Sequence, residues 1–574
     1  MRSLGHLSVL ALLLISALNG LAETRVTGPV RGQWTVAQSP YIVIGNVSVG
    51  ANETLTIEPG VVVRFAGNFR FDVSGVLQAI GTVNDSIRFF SDSGQPGAWR
   101  AIYITGALTD GTILRYVTLA HAYRGVEATD ANPRIANSRF YGCQNAGIRS
   151  VRSRPQIADC LISNITDNGN GIAATERSIA TITNSTIFNC TRFGIGADEN
   201  SVVNVSNCFI DNTTDAGIYL NAAPNSVIER TVIANARTRA FSVWQSNAVR
   251  MERCVAYQAT GPGFYLYNSQ SLNLLNNTSL SNGQYGILLA SGSTATLTNN
   301  LVVQNRMSGI LNDRSQALLR YNDFWANNRD YDGIEAGAND ISADPRLVDP
   351  AHFDFRPGEG SDVIDAGDPA TGYDPDGTRR DIGAGFFNQN RPPRLTDWEP
   401  DTLISVSGDS LITFSVTAED DDGDALRYYW YLNGGAVGNN RTFQRAFPQD
   451  GAFVVRVVVD DNLYEGRTDH TWSFSVIGAA APRAELPADW SVSPAFPNPF
   501  NNATRIDYTL PFAGSGFVTL VDLTGREVHR AELHHQSAGS HTLVFPGSRL
   551  PSGLYSLSLR LGPLYHQQTL IHLK

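Results

Sequence analysis

Lysine is all but missing from this 574-residue chain: the only one is Lys574, the last residue. A lysine general base or Schiff-base nucleophile inside the fold is thereby excluded. Charge is thin, at 17% of residues, and its balance is acidic, at −11. A nucleic-acid partner needs a clustered positive field, so this balance argues against one. Histidine is scarce where a metal would need it, with only His121 and His352 between residues 23 and 390. That argues against a histidine-built centre there. After the first 22 residues no apolar run is long enough to read as a membrane-spanning helix. No helical period persists in the repeated region either. What remains, with 52 glycines and 42% hydrophobic residues, is the composition of a turn-rich β protein.

The N-terminus has the features of a secretory signal. Arg2 is followed by the apolar run "LSVLALLLISAL", and "GLA", ending at Ala22, supplies the small residues of a cleavage site. The mature chain is expected to begin near Glu23.

A repeat dominates the middle of the sequence. Gly147, Gly171, Gly194, Gly217, Ala240, Gly263, Gly286, Gly309 and Gly333 recur every 23 or 24 residues. Asn137, Asp159, Asn184, Asn207, Arg230, Arg253, Asn277, Asn300 and Asn322 read as a second column. Asn164, Asn189, Asn212, Asn235, Gln258, Asn282, Asn305 and Asn327 read as a third. Between them lie short runs of β-branched and aromatic residues in alternation. Short strands joined by tight turns, one unit stacked on the next, make a parallel β-helix with coils about 4.8 Å apart. Stacked Asn side chains would hydrogen-bond from coil to coil. Ile148, Ile172, Ile195, Ile218, Phe241, Phe264, Ile287 and Ile310 would form an inward stack. No coil can bury its apolar face alone, which is why the unit repeats.

The columns also place the five cysteines. Cys160, Cys208 and Cys254 share one, Cys143 and Cys190 another, each two coils apart with Ser185 or Thr231 between members of the first. Roughly 9–10 Å between backbones is too far for a disulfide, so all five are expected as buried free thiols.

With these columns and the ladder, the repeat resembles the right-handed parallel β-helix of the pectin-lyase-like superfamily. "VIGNVSVGANETLTIEPGVVVRF" and "SGVLQAIGTVNDSIRFFSD" resemble the first coils of bacterial β-helix proteins, and "ISADPRLVDPAHFDFRPGEGSDVIDAGDPATGYDPDGTRRDIGAG" resembles their last coil and cap. The resemblance implies a fold over about residues 24–390. It leaves the function open, because the superfamily holds lyases, hydrolases, epimerases and non-catalytic surface proteins.

Enzymes of that type work on an outer sheet face. The strand after each Gly-Ile pair alternates in and out. One outward column reads Arg149, Ala173, Gly196, Tyr219, Ser242, Tyr265, Leu288, Leu311, Glu335. The next reads Val151, Thr175, Asp198, Asn221, Trp244, Tyr267, Ala290, Asp313. Tyr219, Trp244, Tyr265 and Tyr267 would form an aromatic platform on which sugar rings can stack, a contiguous patch of the kind that marks binding sites. Carboxylates are sparse: Asp198, Glu199 and Asn221, near Trp244, are the catalytic candidates. Asp313 lies five coils from Asp198, about 24 Å away, and cannot pair with it. Binding without cleavage is the first reading. A polysaccharide lyase or glycoside hydrolase and a protein-binding adhesin are the alternatives.

After the Pro-containing junction "NQNRPPRL", alternating strands over 391–478 read as an Ig-like β-sandwich. "AEDDDGDALRYYWYLNGG" resembles the Asp-rich turn and Trp-bearing strand of polycystic-kidney-disease-type or cadherin-like modules, with Trp430 in the core. Asp420, Asp422 and Asp424 alternate like ligands of a hard cation, with Asp460 or Asp461 able to join, which makes calcium the one cofactor to consider. An Ala/Pro linker spans 479–489. Over 490–574, Pro497-Asn498-Pro499-Phe500, Gly525-Arg526-Glu527 and Ser552-Gly553-Tyr555 resemble the C-terminal sorting domain of type IX secretion cargo. That resemblance implies a Gram-negative host, the type IX machinery as a partner, and a location on the cell surface or outside it. The whole chain thus reads as all-β: a signal peptide over 1–22, a β-helix with caps over 23–390, and two Ig-like sandwiches.

Overall fold

The computed structural model describes residues 23–402, 405–407, 411–477, 490–501, 503–522, 527–546, 550, 553–562 and 564–572. The expected leader, the Ala/Pro linker, Gly525, Arg526 and Ser552 lie outside these residues. Two compact units are present. The first runs to Phe387 without Pro375–Gly377, which belong to the second.

The first unit is a β-solenoid whose coils each place one strand in three stacked parallel runs. In one coil these are Asn170–Thr175, Ile179–Thr183 and Thr186–Cys190, called here the first, second and third sheets. The second sheet holds 13 parallel strands. The long strand Tyr41–Val49 pairs through Tyr41–Val43 with one run and through Val47–Val49 with another, joining the first and third into one 26-stranded sheet.

The inward stack falls as the sequence predicts. Ile148 faces Ile172, then Ile195, Ile218, Phe241, Phe264, Ile287 and Ile310 follow in register, all buried. Phe241 and Phe264 stack with their rings 4.7 Å apart. The preceding column is glycine because its neighbours press on it. A Cβ at Gly171 would sit 2.5 Å from Ile187 Cγ2 and 2.6 Å from the Gly194 carbonyl of the next coil. At the last coil the sequence columns err. Ile310 pairs with Tyr331 and Leu311 with Asp332, so Asp332, not Glu335, ends the outward column. Gly333 is a turn residue at φ 71°.

The asparagine columns also need correction. Asn137, Asp159, Asn184, Asn207, Arg230 and Arg253 are left-handed turn residues with φ between 44° and 53°. Their column continues through Asn276 and Asn299, at φ 53° and 56°. Asn277, Asn300 and Asn322 belong one position further on, in the buried column that holds Ser185, Cys208, Thr231 and Cys254. The hydrogen bonds show it: the Cys208 amide donates to Thr231 Oγ1, Cys254 to Asn277 Oδ1, and Asn277 to Asn300 Oδ1. Asn164, Asn189, Asn212, Asn235 and Gln258 are likewise αL residues followed by Ser281 and Gln304, and here the expected bonds from coil to coil do form: Asn189 Nδ2 donates to Asn164 Oδ1 at 2.9 Å and Asn212 Nδ2 to Asn189 Oδ1 at 2.7 Å. Asn282 and Asn305, both buried, and the half-buried Asn327 form a separate ladder, with Nδ2–Oδ1 bonds of 2.9 and 3.0 Å. Asparagine serves both places, since it tolerates αL and offers both a donor and an acceptor when buried. The five cysteines are buried and free.

Residues 338–374 and 378–387 close the solenoid and fold back over the outer face of the third sheet. Phe355, Val363 and Ile382 bury Ala234, Val255, Tyr257, Leu280, Leu301 and Val303. Arg253 pairs with Asp374 at 2.6 Å and Arg380 with Glu252 at 3.0 Å. Asn276 Nδ2 donates to the carbonyls of Asp381 and Gly383. Among the described residues these cap contacts fall on the third sheet and not on the first.

The second unit contains two sandwiches. In the first, a three-stranded and a five-stranded sheet enclose Trp430, which is fully buried and donates to the Asn440 carbonyl at 2.8 Å. In the second, the strands Ser491–Val492, Ala503–Leu510 and Gly539–Pro546 face a four-stranded sheet. Asn498 clamps the final strand: its Nδ2 donates to the Thr569 carbonyl and its Oδ1 accepts from the Ile571 amide. Phe500 and Tyr555 are buried in that core.

Candidate functional site

The outer face of the first sheet divides into two stretches of different character. Upstream, charges satisfy one another. Glu127 takes both Arg124 and Arg149, and Arg70 lies 4.7 Å over the Tyr103 ring while pairing with Asp72. Downstream, from Phe193 to Tyr267, aromatic rings take over.

The pairings confirm the outward columns there: Gly196, Tyr219, Ser242 and Tyr265 stand in line, as do Asn221, Trp244 and Tyr267. Trp244 lies 4.3 Å from Tyr267 and 5.7 Å from Tyr265, centroid to centroid. All four expected aromatics are half-buried. Their faces are partly taken: Tyr219 stacks on Phe193 at 4.4 Å, and the Arg239 guanidinium covers Tyr265 at 4.6 Å. Burial pushes the Tyr219 and Tyr265 hydroxyls above the usual tyrosine range. Trp244 Nε1 and Ser242 Oγ are buried without a hydrogen-bond partner.

Phe193, Arg192 and Arg239 are additions the outward columns missed. Arg192, Arg237 and Arg306 stand on the turns that lead into first-sheet strands, and Arg239 opens one. None of the four makes an ion pair with a described residue, whereas Arg124, Arg149 and Arg152 upstream are all paired. A cleft of about 330 Å³ opens beside Tyr265, lined by Arg237, Arg239, Gln284 and Leu288. A larger cleft of about 690 Å³ lies in the second unit, lined by Tyr429, Tyr431, Arg456 and Asp469. Its charges are internally spent, since Arg456 holds Asp469 at 2.9 Å.

Asp198 and Asn221 stand at neighbouring strand ends, and Glu199 is exposed at φ 52° in the turn beyond. Asp198 is half-buried with Oδ1 unpartnered. Burial, then the Glu199 charge, raises its carboxyl above the usual range, against Arg149 and Arg192. Asp313 is four pairings beyond Asn221 and is held by Arg314 at 2.9 Å. Among the described residues, the group of three close carboxylates is Asp420, Asp422 and Asp424 in the second unit, with one oxygen of each within 4.8 Å of the others.

The chain is thus a parallel β-helix followed by β-sandwiches, with an aromatic and arginine-lined patch on one sheet. Residues 124–252 match the right handed beta helix region family, and residues 214–342 match the family described as periplasmic copper-binding protein (NosD). Residues 404–471 match the PKD domain and 494–572 the secretion system C-terminal sorting domain. No curated protein matches the chain. Solved structures similar to it include the periplasmic alginate epimerase AlgG, at 13% identity over 51% of this chain and 84% of that one, with a TM-score of 0.42. Pectate lyase Pel9A has 15% identity over 58% and 89%, with 0.36. The Azotobacter vinelandii mannuronan C-5 epimerase AlgE4 A-module has 13% over 58% and 88%, with 0.23. Likenesses this remote bear on neither substrate nor mechanism.

Copper does not fit the stretch that matches NosD. Residues 214–342 contain no histidine. Cys254 is buried, and that burial pushes its thiol up to about 12; Met251 is buried and Met307 is exposed. Copper sites are built from imidazole, thiolate and thioether groups brought together, and these are not.

Proposed function

We propose that the chain is an exported protein whose solenoid binds polysaccharide on the first sheet between Phe193 and Tyr267, favouring anionic chains, without cleaving them. The observation that carries this reading is the half-exposed aromatic group bordered by Arg192, Arg237, Arg239 and Arg306, all without ion-pair partners among the described residues. Aromatic rings offer apolar faces to sugar C–H groups, and unpaired guanidinium groups offer bidentate donors to carboxylate or sulfate. The C-terminal match supports type IX export to the cell surface or the medium.

The test is affinity electrophoresis of the purified chain against neutral and anionic polysaccharides, beside Trp244→Ala and Arg239→Gln. Trp244→Ala is expected to weaken binding about 10-fold to 100-fold, on the order of 1.4–2.8 kcal/mol. Arg239→Gln is expected to weaken anionic polymers alone, and raised salt to do the same by screening. Unchanged retardation in Trp244→Ala would remove the site from this face.

Asp198 favours one second reading. A half-buried carboxyl whose burial raises it above the usual range is suited to act as a general acid, which would make the chain a glycoside hydrolase or lyase. Product release lost in Asp198→Asn, with binding retained, would establish it.

A further inference from the structure

We infer that the upstream end of the third sheet carries a separate binding site, a pocket for one sugar-acid residue, free or at a chain end, built on Phe90, Ala120, His121 and Tyr141 with Arg88 and Arg139 at its rim. The pocket lies on a different sheet from the patch between Phe193 and Tyr267 and does not rest on that reading.

Strand alternation sets the site. In Ile87–Ser91, Val117–Ala120 and Arg139–Tyr141 the inward residues Phe89, Leu119 and Phe140 are fully buried. Arg88, Thr118 and Arg139 stand in register in one outward column. In the other, Ala120 pairs with Tyr141, and the same register sets Phe90 opposite Ala120. Each column thus places a small residue between two large ones. Members two coils apart are roughly 9–10 Å from each other at the backbone. A cleft of about 400 Å³ opens over Thr118 and Ala120, lined also by Arg88, Phe90, His121 and Tyr141. The cap residue Phe353 meets this sheet at Phe209, three pairings beyond Arg139, and Tyr141 is left 38% exposed.

The turn column changes at the same place. Where later coils carry Asn164, Asn189 and Asn212, these two carry His121 at φ 63° and Gly142 at φ 60°. His121 Nδ1 lies 3.1 Å from the Ser91 carbonyl. A carbonyl only accepts, so Nδ1 carries the proton, and Nε2 of the neutral ring is an acceptor. A Cβ at Gly142 would sit 3.3 Å from His121 Cδ2 and 4.0 Å from Nε2. Glycine therefore leaves that edge of the ring open. The Tyr141 ring meets the His121 ring edge to face, with centroids 5.5 Å apart.

Charge and width select the occupant. Asp92 at the cleft is spent on Arg64, whose Nε donates to both its oxygens at 3.0 and 3.1 Å, and Arg64 also takes Glu23 at 3.1 Å. Arg88 and Arg139 make no ion pair with a described residue. The excess is positive, and a carboxylate accepts a guanidinium fork. Phe90 and Tyr141 offer apolar rings to C–H groups, and His121 Nε2 offers an acceptor to a hydroxyl. A flat aromatic acid held between two walls needs only about 7–8 Å, two contacts of 3.5–4.0 Å. A puckered pyranose is thicker and suits the wider gap. Arg64 pairs with Phe90 on the upstream side and Gly94 lines the cleft, so the pocket is closed there, which suits a single residue or a chain end.

The experiment is a saturation-transfer NMR titration of the full chain with glucuronate, glucose and acetate, repeated in Trp244→Ala to read the pocket apart from the first-sheet patch. Glucuronate is expected to saturate in both proteins, at least 10-fold tighter than glucose or acetate. Tyr141→Ala should weaken it at least 10-fold with the thermal midpoint kept. Gly142→Asn should do the same, since asparagine tolerates this φ and lays an amide across the open edge of His121. Arg88→Gln should narrow the preference for glucuronate over glucose. Absence of saturation in Trp244→Ala would overturn the assignment, as would acetate binding as tightly as glucuronate, or binding that Tyr141→Ala and Gly142→Asn both leave intact.

Discussion

Each cysteine in this chain sits where a thiol is hardest to ionise. Burial pushes Cys143, Cys160, Cys190 and Cys254 up to about 12, and Cys208 to about 11. Thiolate is the reactive form, so the native protein should resist alkylation at pH 8 until it is unfolded, when all five should label. Mass spectrometry reads this directly, and labelling of the native fold would contradict the buried columns. Asp323 makes the opposite sort of prediction. It lies beneath the cap with Oδ1 accepting from the Ala343 amide and Oδ2 unpartnered. Burial, with Asp330, Asp344 and Asp362 adding to it, raises its carboxyl from 3.8 to about 7. The folded state therefore holds the proton more tightly than the unfolded one between those values. Stability linked to this group is full below about pH 4 and falls as pH rises through about 7. Asp323→Asn should flatten that decline and stabilise the first unit at pH 8 by on the order of 1–3 kcal/mol. Thermal midpoints from pH 5 to pH 8 measure it, and parallel curves for the two proteins would refute it. At this same scale the aromatic patch was half legible. Tyr219, Trp244, Tyr265 and Tyr267 follow from strand alternation, whereas Phe193 and Arg192 precede the Gly-Ile pair, where alternation does not run.

Within each coil, fit between elements governs what is tolerated. Ala240 stands alone among glycines in its column, and the register explains it. The third-sheet residues that crowd the column are Ile187, Ile210 and Ile233 opposite Gly171, Gly194 and Gly217. The same spacing sets Ala256 opposite Ala240, both buried. The methyl gained at one position is lost at the other. Ala256→Ile should overpack the coil and cost about 1–3 kcal/mol, and Ala240→Gly should recover most of it. A double-mutant cycle by denaturant unfolding tests this, and simple additivity would deny the contact. The coil period and inward stack were legible because every unit repeats them. The ladder was misread by one position after Arg253. Asparagine moves there from the left-handed turn into the buried column, and a sequence column cannot distinguish a residue chosen for φ from one chosen for its amide. The last coil was misread because it is shorter than the others.

For the molecule as a whole, the division of labour follows the chain. The solenoid offers one outer face closed by its own cap, over the third sheet, and another that carries half-buried aromatics and arginines without ion-pair partners among the described residues. The sandwiches after it carry the three-aspartate turn and the sorting-domain match. The central claim is that the open face holds glycan and leaves it whole. It is tested most directly by incubating the full chain with a panel of polysaccharides and measuring retention and chain length in the same samples. The account predicts retention of anionic polymers with no shortening and no new unsaturated or reducing ends. Shortened chains would contradict it and direct attention to Asp198, and retention of nothing in the panel would contradict it as well.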